Sequence, residues 1–536
     1  MTRLITLLFL VLASTASSLS QTLNPPRLVL NVTVSGLRYD YLLKYKKAMN
    51  PGGIFKLINE GASCTLTRIN YLNTNTSSGV ASIATGTTPD GHGVIGNHWF
   101  DYTTNEKVIL CFDKNTRTVG ADELDAQLSP KNLVSSTIGD CIKDISPTSK
   151  VISVALSPFS AVVAGGFMAD DCYWVSPRDG KMVTSSYYRE QLPDWVKSFN
   201  EKKLASAYAT QKWIHARKTS EYHNVISSDI GGKNVAKNYN YTALTTTPAA
   251  NSLLKDFVVQ TIIAENLGKD AATDYLSVTF DALERATQKY GTSSVECEDI
   301  FYRLDDEIAT LLAFVESYIG KGQLLVVFNS AHGASEPVLK DSKLPSGNFN
   351  AAQFEILMNG FLGAQLTSKL SKEALSKIEG EDPKWVLDFS ENQIYLNRKK
   401  IFSAGLSLAE VQNMVVQFAI QFRGVASAIT SSTLQSGQFS DGIMGKAQKN
   451  YFAKHSGDVT INLLPGWINS TDWLSDSGSP YIYDTHVPLI FWGGAIANTQ
   501  IGEETSLEDI APTVAKIVGV TPPNSSTGKP IVGIYK

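Results

Sequence analysis

The chain has 536 residues, of which 43% are hydrophobic and 18% charged, with a formal net charge of −4 at pH 7. That length can bury a large core, either as one α/β domain with insertions or as two domains. The charge is near balance and no basic block occurs, so a nucleic-acid-binding face is excluded.

Met1-Thr2-Arg3 and the apolar run Leu4 to Ala13 lead into small and Ser-rich residues to Ser20. This predicts a signal peptide over residues 1–20, with residues 21–536 exported to the periplasm or secreted. No later stretch approaches the roughly 18 uninterrupted apolar residues of a membrane helix, so no transmembrane segment is expected. The cysteines are Cys64, Cys111, Cys141, Cys172 and Cys297, widely spaced and without a C-x-x-C pair. A thiolate zinc site is not expected. Export predicts one or two disulfides with at least one thiol left over, and the pairing is open.

In chain order, Arg27 to Val34 reads as a buried strand, Ser35 to Arg38 as a turn and Tyr39 to Lys47 as a helix start. Phe55 to Glu60 predicts a helix, and Cys64 to Leu72 a strand entering the hydroxyl-rich stretch Thr74-Asn75-Thr76-Ser77-Ser78. A short helix of small residues follows, closed by Gly86-Thr87-Thr88-Pro89. Such a turn presents a hydroxyl where the helix dipole favours a phosphate or sulfate, which singles out Thr76. The competing reading makes Thr76, Ser77 or Ser78 an ordinary N-cap. Lys150 to Leu156, Asp274 to Phe280 and Gln323 to Phe328 are further buried strands. Helical spacing of Ile300, Leu304, Ile308, Leu311, Leu312 and Val315 predicts an amphipathic helix between the last two. Residues 173 to about 250 and 340 to about 455 are expected to form inserted cap regions. The second holds a helix from Leu408 to Phe422 and strands at Gln393 to Leu396 and Val425 to Ile429. Asp484 to Trp492 is a turn into a last strand, and Leu507 to Val518 a last helix. Alternating strands and helices predict an α/β fold with a mainly parallel central sheet and helices on both faces. Sites in such folds gather at the carboxyl ends of strands, here Ser35, Ser157, Asp281 and Ala331-His332.

The layout resembles the alkaline phosphatase superfamily, specifically PafA-type secreted phosphatases close to the type I phosphodiesterase-nucleotide pyrophosphatase branch. The carriers are Leu37 to Leu42, Ala81 to Pro89, His92 to Asn97, Ala331-His332-Gly333, Ser456 to Val459 and Gly478 to Leu489. The resemblance implies an alkaline-phosphatase-like fold, Thr76 at the nucleophile position and Asn97 at the phosphate-contact position. It also implies two zinc ions, one activating the nucleophile and one stabilising the leaving group, each with about three protein ligands.

Only Asp281 and His332 retain a ligand type at the six implied positions. Ser35, Arg285, Ala331 and Ser477 replace the other four, and His486 competes with Ser477 for the last position. Ser157 and Phe159 stand where the resemblance implies a Lys and Arg phosphate clamp. Arg285, four residues after Asp281, is read as a structural ion pair, with anion binding as its alternative. His92 and His486 are read as packing residues, and His98, His215, His223 and His455 as chance surface histidines. The aromatic residues from Tyr173 to Trp213 are read as cap core. The sequence therefore predicts an exported pseudophosphatase with no cofactor, retained to bind an anionic small molecule or a protein. Two alternatives stand beside it. One is a phosphate or sulfate ester hydrolase using Thr76 with an altered zinc set. The other is a structural subunit pairing with an active paralogue.

Overall fold

The computed structural model describes residues 25–121, 127–223, 241–339, 343–380 and 382–535. The expected signal peptide, residues 1–20, lies outside them. No helix among the described residues is long and apolar enough to cross a membrane.

The core is a ten-stranded mixed, mostly parallel sheet. In chain order its strands are β1 (Leu28–Val34), β2 (Ala62–Arg68), β3 (Thr118–Val119), β4 (Val151–Ala155) and β5 (Asp171–Val175). They continue with β6 (Met182–Ser185), β7 (Asp274–Phe280), β8 (Leu324–Asn329), β9 (His486–Gly493) and β10 (Thr499–Ser506). The spatial order is β10-β2-β9-β8-β1-β7-β4-β5-β6-β3. β1 lies parallel to both β7 and β8, as apolar strands buried on two faces do. β9, expected as the last strand, runs antiparallel to β8 and β2, and a further strand, β10, follows it and pairs in parallel with β2.

Period-two alternation divides the sheet into two faces. Leu28, Leu30, Val32 and Val34 join one hydrophobic cluster with the long helix α4 (Val295–Ile319). The predicted Ile300, Leu304, Ile308, Leu311, Leu312 and Val315 are all buried there. Burying each such aliphatic side chain contributes about 1.5–3 kcal/mol. Val29, Tyr275, Leu325 and Val327 face the other way, against the helix Ile510–Val518. On that second face run α1 (Thr76–Thr85) and α2 (Pro158–Gly165), which pack together over Ala155 and Trp174. A polar ladder crosses it: Thr33 Oγ1 donates to Asn329 Oδ1 (2.8 Å), and Asn329 Nδ2 donates to Asn31 Oδ1 (2.8 Å).

β5 and β6 belong to this central sheet, so the stretch expected as cap from residue 173 begins inside a core strand. A separate four-stranded antiparallel sheet joins Val386–Ser390, Gln393–Leu396, Val459–Leu463 and Val425–Thr430. The helices Ala351–Thr367 and Leu408–Ala419 cover it with their own apolar cluster, including Phe354, Met358, Val411 and Val415. The expectation of disulfides is not met. All five cysteines are free thiols; Cys64 and Cys297 are buried in different clusters, and Cys111 and Cys172 share a third without being bonded.

Candidate active site

Strand register assembles the site. Val34 pairs with Phe280, Thr33 with Asn329, and Ala155 with Thr279. Ser35, Ser157, Asp281 and the Ser330-to-His332 turn therefore emerge at one edge of the sheet. α1 approaches that edge closely, because Gly79 lies against the Ala331 backbone. A Cβ at Gly79 would come 2.3 Å from the Ala331 carbonyl oxygen. Only glycine allows this contact, and it brings the first turn of α1 to His332.

The N-cap of α1 is Asn75, whose side chain accepts from Ser78 N–H at 2.9 Å. The capping reading of Thr76, Ser77 and Ser78 is thereby corrected: Asn75 does that work, and the Thr76 hydroxyl is free for other contacts. Thr76 Oγ1 donates to Glu284 Oε2 at 2.8 Å and lies 2.8 Å from His332 Nε2. Glu284 Oε1 lies 3.4 Å from the same ring nitrogen. His332 Nδ1 is 2.6 Å from the Gly333 carbonyl, so Nδ1 carries a proton. Because the Thr76 proton is given to Glu284, the contact between Thr76 and Nε2 needs a proton on Nε2 as well. His332 is thus an imidazolium paired with a carboxylate. Its titration agrees. Burial alone would depress the imidazole, but the Glu284 charge and the Gly333 carbonyl outweigh it and hold the pKa at about 9. Burial opposes ionisation of Glu284, yet the His332 cation keeps its pKa below the usual carboxylate value.

Asp281 is fully enclosed. Its Oδ1 accepts from Ser35 Oγ (2.8 Å) and its Oδ2 from Ser157 N–H (3.0 Å). Burial, helped by the Glu284 charge, pushes its pKa to about 6. The expected Asp281–Arg285 ion pair is not formed. Ser35 and Ser157 already satisfy Asp281, and the Arg285 Nε has no hydrogen-bond partner among the described residues, although its charge favours ionisation of both Asp281 and Glu284. Ser157 begins α2 without a side-chain cap bond, and Phe159 packs against the apolar cluster beneath α1 and α2. Asn97 accepts at Oδ1 from the Ser77 hydroxyl, which leaves its amide nitrogen to donate. Its own N–H is held by Glu391 Oε1 at 2.8 Å.

Glu391 sits with Asn392 at the tip of a cap hairpin, both at positive φ (52° and 59°), as two-residue hairpin turns require. Its carboxylate enters beside Gly96, where a Cβ would lie 2.3 Å from the Glu391 Cδ. Behind the nucleophile, Asp484 accepts at Oδ2 from Ser479 N–H (3.0 Å) and from the Ser479 hydroxyl. Burial pushes its pKa to about 7. Asp476, contacted by Ser477 N–H and by Gln288 Nε2 (3.3 Å), is pushed by burial to about 8.

These residues do not fit a two-zinc centre. Ala331 offers no donor atom, Arg285 brings a cation, both oxygens of Asp281 are engaged, and both ring nitrogens of His332 are engaged. Among the described residues, no three His, Cys, Asp or Glu side chains group as a metal site requires. His486 does not compete with Ser477: its Nε2 meets the Thr65 carbonyl at 3.0 Å and its ring stacks on Tyr39 at 4.3 Å.

Three of the histidines read as surface residues have partners: His215 meets the Tyr222 ring edge-on at 5.2 Å between centroids. His455 stacks on Trp99 (centroids 4.2 Å) and bonds the Gly93 carbonyl (2.6 Å), and His223 Nδ1 lies 3.2 Å from buried Glu298. His92 is fully buried, accepts from Val94 N–H at Nδ1 (3.1 Å), and so donates from Nε2 to Ser82 Oγ (3.1 Å) as a neutral ring. Burial depresses its pKa from 6.5 to about 3. The unfolded chain takes up a proton below pH 6.5 that the folded chain refuses, so this site costs stability as pH falls. Between pH 7 and pH 5 the loss is about 2 kcal/mol. Denaturant midpoints of the wild type and His92→Gln across that range are expected to converge toward pH 5; parallel lines would refute the assignment.

Two residues of the site carry no mark in the sequence. Glu284, the third residue of α3 (Ala282–Tyr290), supplies the carboxylate on Thr76, and Glu391 reaches the site from the cap. A helix start of the form Asp-x-x-Glu ordinarily signals a capping box, but Asp281 makes no side-chain cap bond here.

Type I phosphodiesterase / nucleotide pyrophosphatase is the family that matches residues 29–479. Alkaline phosphatase PhoV of Synechococcus elongatus is 29% identical over 534 residues, covering 96% of this chain and 94% of that protein. Alkaline phosphatase PafA of Elizabethkingia meningoseptica is 28% identical over 530 residues, covering 95% and 94%. The crystal structure of wild-type PafA matches with a TM-score of 0.88 at 26% identity, over 96% of this chain and 99% of that one. The chain belongs to the type I phosphodiesterase family of the alkaline phosphatase superfamily, among its PafA-type phosphatases.

Proposed function

We propose that this protein hydrolyses phosphoric or sulfuric esters through Thr76, with Glu284 as the base on the hydroxyl and His332 as the cation beside it. The observation that carries this reading is the Thr76 hydroxyl, bonded at 2.8 Å to a carboxylate and 2.8 Å from an imidazolium nitrogen. A threonine hydroxyl needs a neighbouring base to attack, and Glu284 is placed to be one. Thr76 Oγ forms the bond to phosphorus or sulfur, its proton passes to Glu284 Oε2, and the bond to the leaving alkoxide breaks. His332 keeps positive charge beside the developing oxyanion. Water then attacks the threonine ester, the bond to Oγ breaks, Oγ recovers its proton from Glu284, and the proton released by the water neutralises the departed alkoxide as the alcohol. Asn97 and the opening N–H groups of α1 face the transferred oxyanion.

Acid quenching during turnover of an aryl phosphate or aryl sulfate in the presence of a chelator is expected to trap an adduct on the Thr76 peptide, detectable by mass spectrometry. An adduct elsewhere, or turnover without one in rapid-quench samples, would sink the proposal. Replacement of the ligand positions by Ser35, Arg285, Ala331 and Ser477 supports the second reading, an anion-binding pseudophosphatase. Phosphate binding with no turnover of any ester would favour it.

A further inference from the structure

Arg285 follows Glu284 on α3, so one helical turn carries both the carboxylate on Thr76 and a half-buried guanidinium whose charge favours ionisation of Asp281 and Glu284. The Arg285 Nε is enclosed and has no hydrogen-bond partner among the described residues. Buried polar atoms in folded proteins are satisfied with few exceptions, so this enclosed N–H is a donor open to a ligand. Arg285 lines a cavity of about 210 Å³, walled by Leu156, Pro158 and Trp174 and lined also by Arg178 and Tyr241. Leu156 and Pro158 flank Ser157, whose N–H holds Asp281, so the cavity adjoins the strand ends that carry the site.

We propose that this cavity binds the aromatic group of an aryl phosphate or aryl sulfate ester, with Arg285 holding its oxyanion. This assignment rests on the hydrolase reading of Thr76. Charge and shape both support it. A guanidinium presents a planar fork that matches two oxygens of a tetrahedral oxyanion. The indole of Trp174 and the aliphatic walls offer apolar surface to a ring, and Arg178 brings a second cation to the lining. Ser157 and Phe159, where a Lys and Arg clamp is implied, supply no cation, so Arg285 takes over the binding of the oxygens from the end of the neighbouring parallel strand β7.

The test is binding rather than turnover. Calorimetric titration with phenylphosphonate and benzenesulfonate, which cannot be hydrolysed, is expected to give saturable binding of at least one. Whichever binds more tightly identifies the oxyanion. Benzyl alcohol, with the ring and no charge, is expected to bind at least tenfold more weakly. Arg285→Gln is expected to weaken binding about 10- to 100-fold, with Arg285→Lys in between. Quenching of Trp174 fluorescence by the ligand is expected to disappear in Trp174→Phe. Far-UV circular dichroism verifies that each variant is folded. Equal affinity of wild type and Arg285→Gln, or no binding of either anion to wild type, would overturn the assignment. Turnover by wild type with no effect at Arg285 would refute the subsite alone. Binding that depends on Arg285 without any turnover would refute the hydrolase reading instead.

Discussion

Thr76→Ala is expected to abolish ester hydrolysis, and Glu284→Gln to lower kcat about 10²- to 10⁴-fold, the range for removing a positioned general base. The amide keeps the size of the carboxylate but cannot take the Thr76 proton, and it leaves His332 without its counter-ion. An interaction used only in the transition state lowers kcat and kcat/KM together, so KM is expected to change little in Glu284→Gln. Steady-state kinetics on an aryl ester, beside a wild-type sample treated with chelator, make the comparison. Retained kcat in Glu284→Gln would remove Glu284 from the mechanism, and chelator-sensitive turnover would return the chemistry to a metal.

The largest effect on stability is expected at Asp458. Its carboxylate is fully buried and accepts from Leu396 N–H (3.0 Å), Arg398 Nε (3.0 Å), Gln412 Nε2 (3.1 Å) and the Tyr102 hydroxyl. Arg398 also lies over the Tyr102 ring, 3.7 Å from its centroid. These contacts tie the cap sheet to the strand pair His98–Asp101 and Glu106–Ile109, which follows Asn97 directly. Asp458→Ala would leave a cation, an amide, a hydroxyl and a backbone N–H without their shared acceptor. Breaking a buried pair from one side costs about 3–5 kcal/mol. Chemical denaturation is expected to show that loss, with Asp458→Asn intermediate; a midpoint unchanged in Asp458→Ala would contradict it.

The central sheet was legible because its strands are apolar on both faces. Asp274–Phe280 was read with its observed ends, and the edge formed by Ser35, Asp281 and His332 followed from strand order. β5 was not legible. Asp171-Cys172-Tyr173-Trp174 mixes a carboxylate with aromatic residues, and only the fold shows that Arg189 pairs with buried Asp171. Positions 281 and 285 have the spacing of a metal pair, and nothing in that spacing shows that Glu284 between them meets the nucleophile. Partners distant in sequence stay hidden in a single chain. Nothing local to His455 points to Gly93, and nothing local to Glu391 points to Asn97.

The hydrogen bond from Ser35 to Asp281 also bears on how this chain can change. An aspartate at position 35 would place two carboxylates about 3 Å apart in a buried site, where both cannot ionise together. A histidine at position 285 would remove the nearby cation that favours the Asp281 charge. An aspartate at 331 would enter where Gly79 presses on the backbone. Each single substitution toward the six-ligand zinc set is therefore penalised before the others can repay it. A set of ligands introduced together would avoid penalties that each ligand meets alone.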